Sequence, residues 1–297
     1  MHDLALSNEL NSQHSYLLKG YSNKQIKTED LHVASLLKVV SMGVKNITPV
    51  PKKYEWLASQ VVMIRSRGLG RSTGFVTGRN CNIVLSSAHG IIDKYGRKAK
   101  DVYVNLNPYD RPNSKFVKLK DIATGWDYDI KRAVTHFEHN DPREDWAVSE
   151  GETHILDSCS IIRIDKDGVC NGKLFLISYS RNYRRKVYSH DKQCKLHEFK
   201  KTEQARRYGM DINSPVNVVK HSCDTEPASS GSPLFCEEKG NITLIGVNEG
   251  YHDDLTYYSG VDKLSTHGQD YNNEDYFNKA VLIDGIFKKE YERRINK

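Results

Sequence analysis

The sequence predicts an all-β chain of short antiparallel strands, closed into a barrel or stacked as a sandwich. Three observations carry this expectation. Short apolar and β-branched runs recur along the chain, at residues 60–65, 82–86, 101–105, 116–119, 133–136 and 146–148. Turn-rich segments separate them, and residues 72–78 alternate around glycines. A second series begins near Ser158, with runs at 161–164, 173–178, 187–189, 194–199, 216–219, 234–236, 243–247 and 257–261. Short strands at such spacing belong to antiparallel all-β folds.

Residues 1–55 differ from the rest of the chain. Leu31, Ala34, Leu37 and Val40 stand at helical spacing behind Thr28-Glu-Asp30, which has the makings of an N-terminal cap. Residues 7–19 form a weaker helical stretch, and Val50-Pro51 ends the pattern. The expectation is an N-terminal helical extension that packs on the body, with a pro- or regulatory segment as its role. At the other end, residues 278–294 read as a helix, with apolar residues at 281, 282, 286 and 287.

Composition narrows the function classes. At 297 residues the chain has enough length to bury one or two sizeable cores. No run of about 18 apolar residues exists, so no membrane span is expected. The first residues lack a basic n-region and an apolar h-region, so the expectation is a cytoplasmic protein, export by a non-classical route, or a chain numbered without its signal. The net charge of +6 over this length reads as solubility, and no nucleic acid is expected as partner. The basic and aromatic residues at 181–188 read as a solvated hairpin. Without Cys-x-x-Cys or His-Glu-x-x-His, neither a metal nor another cofactor is expected. The six cysteines are too sparse to define a disulfide framework.

The stretch from His221 to Phe235 carries the chemistry. Between Cys223 and Pro233 it has neither helical nor strand period, and it is small, kinked and rich in Ser, Gly and Pro. Such a loop places one hydroxyl on a tight turn with backbone N–H groups aimed at the same spot. Ser230-Gly-Ser-Pro233 resembles the nucleophile loop of chymotrypsin-like serine proteases, nearest to the bacterial trypsin-like and glutamyl-endopeptidase-like branch. Ser86-Ser-Ala-His-Gly-Ile91 resembles that family's histidine box, and Asp145-Trp-Ala-Val148 its aspartate box. The order is His89, Asp145, Ser230, with gaps of 56 and 85 residues.

The resemblance covers roughly residues 57–287. It implies two packed antiparallel β-barrels, the first over 56–155 with His89 and Asp145. The second, over 156–297, carries Ser230 and ends in a helix. It also implies a serine endopeptidase acting as a monomer on protein or peptide. A serine hydroxyl needs a base to take its proton, histidine titrates near working pH, and a carboxylate behind the ring holds its tautomer. Ser230 is thus the expected nucleophile, His89 the base and then acid, and Asp145 the orienting group. Ser229 and Ser232 are rivals to Ser230, as Asp141 and Glu144 are to Asp145; the registers of the two boxes favour Ser230 and Asp145.

The oxyanion hole falls to the amides of Ala228 and Ser230. Ala228 stands where the family usually has Gly, and a catalytically impaired pseudoprotease that binds protein is the alternative this motivates. Asp224, six residues before Ser230, matches the trypsin pocket base, which implies a preference for Arg or Lys before the scissile bond; the same run also resembles bacterial relatives in which this Asp need not read the substrate. Val247 replaces a histidine of the glutamyl endopeptidases. Asn248 and Gly250 match the segment that pairs with substrate backbone, and Asn248 is expected to keep a hydrogen bond to Asp145. Glu249 either favours basic substrate residues or faces solvent. The resemblance also implies a Cys170–Cys236 disulfide and suggests Cys194–Cys223 as a second. Gly90 removes the usual histidine-loop disulfide near Cys81. Reduced core cysteines are the alternative.

Overall fold

Strand β2 (Val61–Ser66) is buried along nearly its whole length, and its two faces serve two different cores. Side chains alternate across a strand. Val62 and Ile64 therefore join Val76, Val84, Val104 and Ala147 in one cluster, while Val61 and Met63 join Phe75, Leu85, Phe175, Phe235 and Val247 in another. The first cluster fills a barrel. The second is the seam between that barrel and a second sheet. The computed structural model describes residues 47–92, 97–125, 145–165, 168–180, 184–190, 194–197, 217–226, 228–253 and 276–296.

The barrel adds β3 (Gly70–Thr77), β4 (Ile83–Ser86), β5 (Val102–Leu106), β6 (Lys115–Thr124) and β7 (Ala147–Gly151), and it closes in the order β2-β3-β4-β7-β6-β5. Closure leaves no free edge. The second sheet contains β1 (Ile47–Pro49), β8 (Arg163–Ile164), β9 (Lys173–Ser180), β10 (Arg185–Ser189), β11 (Leu196–His197), β12 (Val218–His221), β13 (Pro233–Glu238), β14 (Asn241–Asp253) and β15 (Tyr276–Leu282). Its order is β1-β10-β9-β13-β14-β15-β12-β11, with β8 parallel to β14. Among the described residues no pairing joins its two ends, so it is a curled half-barrel beside a closed one.

The stretch 278–294, expected as one helix, divides. Residues through Leu282 form β15, which pairs with β14 on one side and β12 on the other. Only Gly285–Ile295 is helix, here α2. The helix returns to the first barrel. Phe287 stacks on Trp146 with centroids 4.9 Å apart, the Tyr291 and Thr77 hydroxyls meet at 3.2 Å, and Arg294 donates to Asp121 O at 2.7 Å.

Residues 47–55, expected as the end of the extension, are part of the body: β1 pairs with β10, and Tyr54 is buried against Phe175. Residues 55–60 form a short helix, α1 (Glu55–Gln60), so strand structure begins one residue after Gln60. The 181–188 region ends in β10, hairpinned to β9, but Val187 and Tyr188 are core residues, which corrects the expectation of a solvated hairpin. The expected helices at 7–19 and 31–40 and the expected strands at 133–136 and 257–261 lie outside the described residues.

The six cysteines pair as Cys81–Cys159, Cys170–Cys236 and Cys194–Cys223, with Cα–Cα distances of 5.6, 5.7 and 4.1 Å. Cys81–Cys159 had no counterpart among the sequence expectations. It ties the β3–β4 turn to the segment leading out of the barrel.

Candidate active site

Strand β4 ends at Ser86, and a single 3₁₀ turn (Ala88–Gly90) comes after it. The turn places His89 on the barrel rim with its side chain 37% exposed. Asp145, just before β7, is buried and grips His89 at two points. Its Oδ1 accepts the His89 backbone N–H at 2.8 Å, and its Oδ2 meets ring Nδ1 at 2.6 Å. Burial works against a charged ring, but the Asp145 charge and hydrogen bond, with help from Glu249, outweigh it and hold the His89 pKa above its usual 6.5. One carboxylate thus sets the turn, the ring orientation and the tautomer. Gly90 fits because Ser72 of β3 lies where its Cβ would go.

The Ser230 loop arrives from the second sheet and is held from both sides. From the barrel, the Thr73 amide donates to Ser230 O at 2.8 Å, and Thr73 Oγ1 donates to Ala228 O at 2.6 Å. Gly231 has φ +81°, and a Cβ there would stand 2.3 Å from Ser86 Oγ and Thr73 O and 2.8 Å from Ser87 N. Only glycine fits. The loop therefore seats on residues 86–87, at the entrance to the His89 turn. Among the described residues no hydrogen bond joins Ser230 Oγ to the His89 ring.

From the second sheet, Asn248 holds the loop through backbone and side chain. Its N–H donates to Ser232 O (2.8 Å), its carbonyl accepts from Gly231 N–H (2.6 Å), and its Nδ2 donates to Ser229 O (3.1 Å). Its Oδ1 faces His221 Nε2 at 2.9 Å. This corrects the expected Asn248–Asp145 bond, because the whole amide is already engaged by Ser229 and His221. His221 is fully buried, and burial drives its pKa down to about 4 despite the Asn248 contact, so the ring is neutral and Nε2 carries the proton.

Ala228 has φ +82°, the left-handed region that disfavours a Cβ. The strain costs about 1 kcal/mol relative to Gly. Ala228 and Ser230 donate no amide hydrogen bond to a backbone carbonyl among the described residues, whereas Ser229, Gly231 and Ser232 all do. The two expected oxyanion donors are thus the ones left over when the loop's internal bonds are made.

Asp224 is buried at the start of the loop. Its neighbour Thr225 donates to Asn278 Oδ1 (3.0 Å), and Asn278 donates in turn to Cys223 O (2.7 Å), which pins this corner to β15. Gly250 pairs with Lys279 across a bulge just after Asn248. Glu249, in that bulge, is largely turned away from solvent, with its side chain 11% exposed, and is paired with Lys279 Nζ at 2.7 Å. Burial, with the charge of Asp145, raises its carboxyl to about 7 against the pull of Lys279. Thr73, His221 and Lys279 are site residues that the sequence reading missed. For Thr73 the signal was its place in the glycine-flanked run 72–78. Among the described residues Cys170, Cys236 and Glu238 have donor atoms near enough to share a metal ion, but the two sulfurs are bonded to each other.

No known protein-family profile and no curated protein sequence matches the chain. Solved structures do. A Glu endopeptidase superposes with a TM-score of 0.57 at 14% identity, over 86% of this chain and 99% of its own. A thermostable serine protease from an extremophilic microorganism gives 0.53 at 12%, over 81% and 98%. The protease Anisep from Arthrobacter nicotinovorans gives 0.52 at 12%, over 80% and 96%.

The chain has the chymotrypsin-like fold. Within that fold, His89 and Asp145 come from the first barrel, and the Ser230 loop comes from the second sheet and seats on Thr73, Ser86 and Ser87 at the entrance to the His89 turn.

Three outcomes are expected. A general-base role for His89 needs the neutral ring, so with its pKa raised by Asp145 such a rate falls as pH drops through a value above 6.5. Asp145→Asn removes the raising charge; its pH–rate profile shifts to lower pH, and the plateau rate falls by about 10⁴. A profile unmoved by the substitution would contradict the clamp. Ala228→Gly relieves the left-handed strain and raises stability by about 1 kcal/mol, read from urea unfolding. His221 binds its proton more readily unfolded than folded, so its stabilisation is present above pH 6.5 and lost as pH falls toward about 4. The loss is on the order of 3 kcal/mol. In His221→Asn the slope of stability against pH between 6.5 and 4 flattens.

Proposed function

We propose that the chain is a serine endopeptidase that hydrolyses peptide bonds through an acyl-enzyme intermediate. The observation that carries the reading is the two-point grip of Asp145 on His89, beside the loop that presents Ser230. Ser230 Oγ attacks the scissile carbonyl while His89 Nε2 takes its proton. The resulting imidazolium is stabilised by buried Asp145. The amides of Ala228 and Ser230 receive the developing oxyanion; donors already aimed there need no reorganisation during the reaction. His89 returns the proton to the leaving amine, and water, deprotonated by the same ring, releases the acyl group.

Substrates are proteins or peptides. The segment at Gly250 pairs with the substrate chain, as a strand adds to a sheet edge. Asp224, at the foot of the nucleophile loop, favours Arg or Lys before the scissile bond. Asn248 acts on the loop and not on the substrate, because its amide is consumed by Ser229 and His221.

The test is a mixed peptide library digested by the full chain and by Ser230→Ala, with cleavage sites read by mass spectrometry. The parent cleaves after Arg or Lys, and the variant loses about 10⁴-fold or more in kcat/KM. Equal turnover by the two proteins would overturn the mechanism. Cleavage by the parent after other residue types would take the pocket role from Asp224.

A further inference from the structure

Strand register sets an unusual row of side chains on the outer face of the barrel. Arg71 of β3 stands directly opposite Arg65 of β2, Arg65 opposite Tyr103 of β5, and Tyr103 opposite Lys118 of β6. Residues directly opposite share one face, and like charges in that position destabilise the pair. Two guanidinium groups are therefore held together against their mutual repulsion.

The row borders a hollow of about 610 Å³ whose walls include Arg65, Arg67, Arg71, Asp101, Tyr103 and Phe116. Arg65 lies over the Phe116 ring, 5.6 Å from its centroid, and its Nε is buried without a hydrogen-bond partner. Burial and the charge of Arg71 both work against its protonated form. Phe116 is 52% exposed, a large apolar side chain in water, and meets Tyr103 edge-on at 6.4 Å. Asp101 is the acid in the hollow, and Arg67 and Lys118 lie 3.5 Å from it. Three arginines thus line the hollow with one carboxylate, and Lys118 reaches that carboxylate as well.

The hollow is tied to the nucleophile by β3. Arg71 is two residues before Thr73, whose amide holds Ser230 O, so it lies about 7 Å along the strand from that contact. If substrate backbone lies along residues 248–250 on the second-sheet side of Ser230, the chain beyond the scissile bond leaves over β3. We propose that this basic, aromatic-walled hollow is a secondary binding site for acidic peptide, engaging carboxylate-bearing residues about three to six positions after the scissile bond. The site rests on the endopeptidase reading for its direction, and on the strand register for its chemistry. Carboxylate forks match guanidinium groups, and the exposed rings accept apolar residues between them. Asp101 in the middle disfavours a continuous polyanion such as nucleic acid.

Two peptides that share one scissile core test it, one with Glu and the other with Gln at positions three to six beyond the bond. The full-length parent cleaves the Glu peptide with kcat/KM at least ten-fold higher, and 0.5 M NaCl closes most of the gap. Arg65→Gln/Arg71→Gln cleaves both at the parent's Gln-peptide rate. If that variant loses its thermal unfolding transition, Arg67→Gln replaces it, with about a three-fold loss on the Glu peptide alone. Separately, fluorescence anisotropy with Ser230→Ala protein reads at least ten-fold tighter binding of the Glu peptide, with no competition from an oligonucleotide of equal charge. Equal cleavage of the two peptides, an unchanged preference in the arginine variants, or displacement by the oligonucleotide would overturn the site. Should neither peptide be cleaved, the endopeptidase reading fails by itself, and the binding ratio decides this proposal: ten-fold upholds it and parity ends it.

Discussion

The site depends on one constraint: the loop 228–232 must be held from both halves of the molecule at once. Thr73 fixes it from the barrel through Ser230 O and Ala228 O. Asn248 fixes it from the second sheet through three hydrogen bonds. Asn248 O takes the amide of Gly231, and the loop's own turns take those of Ser229 (to Glu226 O) and Ser232 (to Ser229 O); among the described residues the amides of Ala228 and Ser230 donate to no backbone carbonyl. In the proposed mechanism those two amides are the ones kept for the oxyanion, donors set in place before acyl transfer begins. The apolar seam formed by Phe75, Leu85, Phe175, Phe235 and Val247 supports this by keeping the two anchor strands in register.

Charge at the seam is arranged with the same economy. Asp145 is buried, and its two oxygens are both spent on His89. A neutral His221 supports Asn248 where a charged group would need a counter-ion. Glu249 and Lys279 enter as a pair, and the carboxylate adds to the field that keeps His89 basic. The proposed hollow on the barrel face has the opposite balance, with cations in excess. A substrate with a basic residue before the cut and acidic residues after it would match both regions.

Much of this was legible in the sequence, and the misses have physical causes. The pairing of His89 with Asp145 and the seating of the Ser230 turn beside them could be read because each lies in a short box whose neighbours carry the local geometry: a strand end, a strand start and a glycine turn. The alternation of short runs gave the β class for the same reason. The residues 278–282 were misread because apolar positions at 281, 282, 286 and 287 fit a helix, and only the flanking strands β12 and β14 decide for strand. Asn248 was assigned to the wrong partner because its true one, His221, is 27 residues away in sequence and reaches it only through sheet register. Cys81–Cys159, separated by 78 residues, was invisible for a similar reason. The arginine row needs the pairing of four strands before it exists at all.

The most direct test of the central claim is covalent labelling of the full-length protein with a serine-directed fluorophosphonate, and then mass mapping of the adduct. A preorganised oxyanion hole and an activated hydroxyl at the seam predict a single adduct on Ser230, abolished in His89→Ala. An adduct on Ser229 or Ser232, or an unlabelled chain under conditions that label a control serine protease, would contradict it.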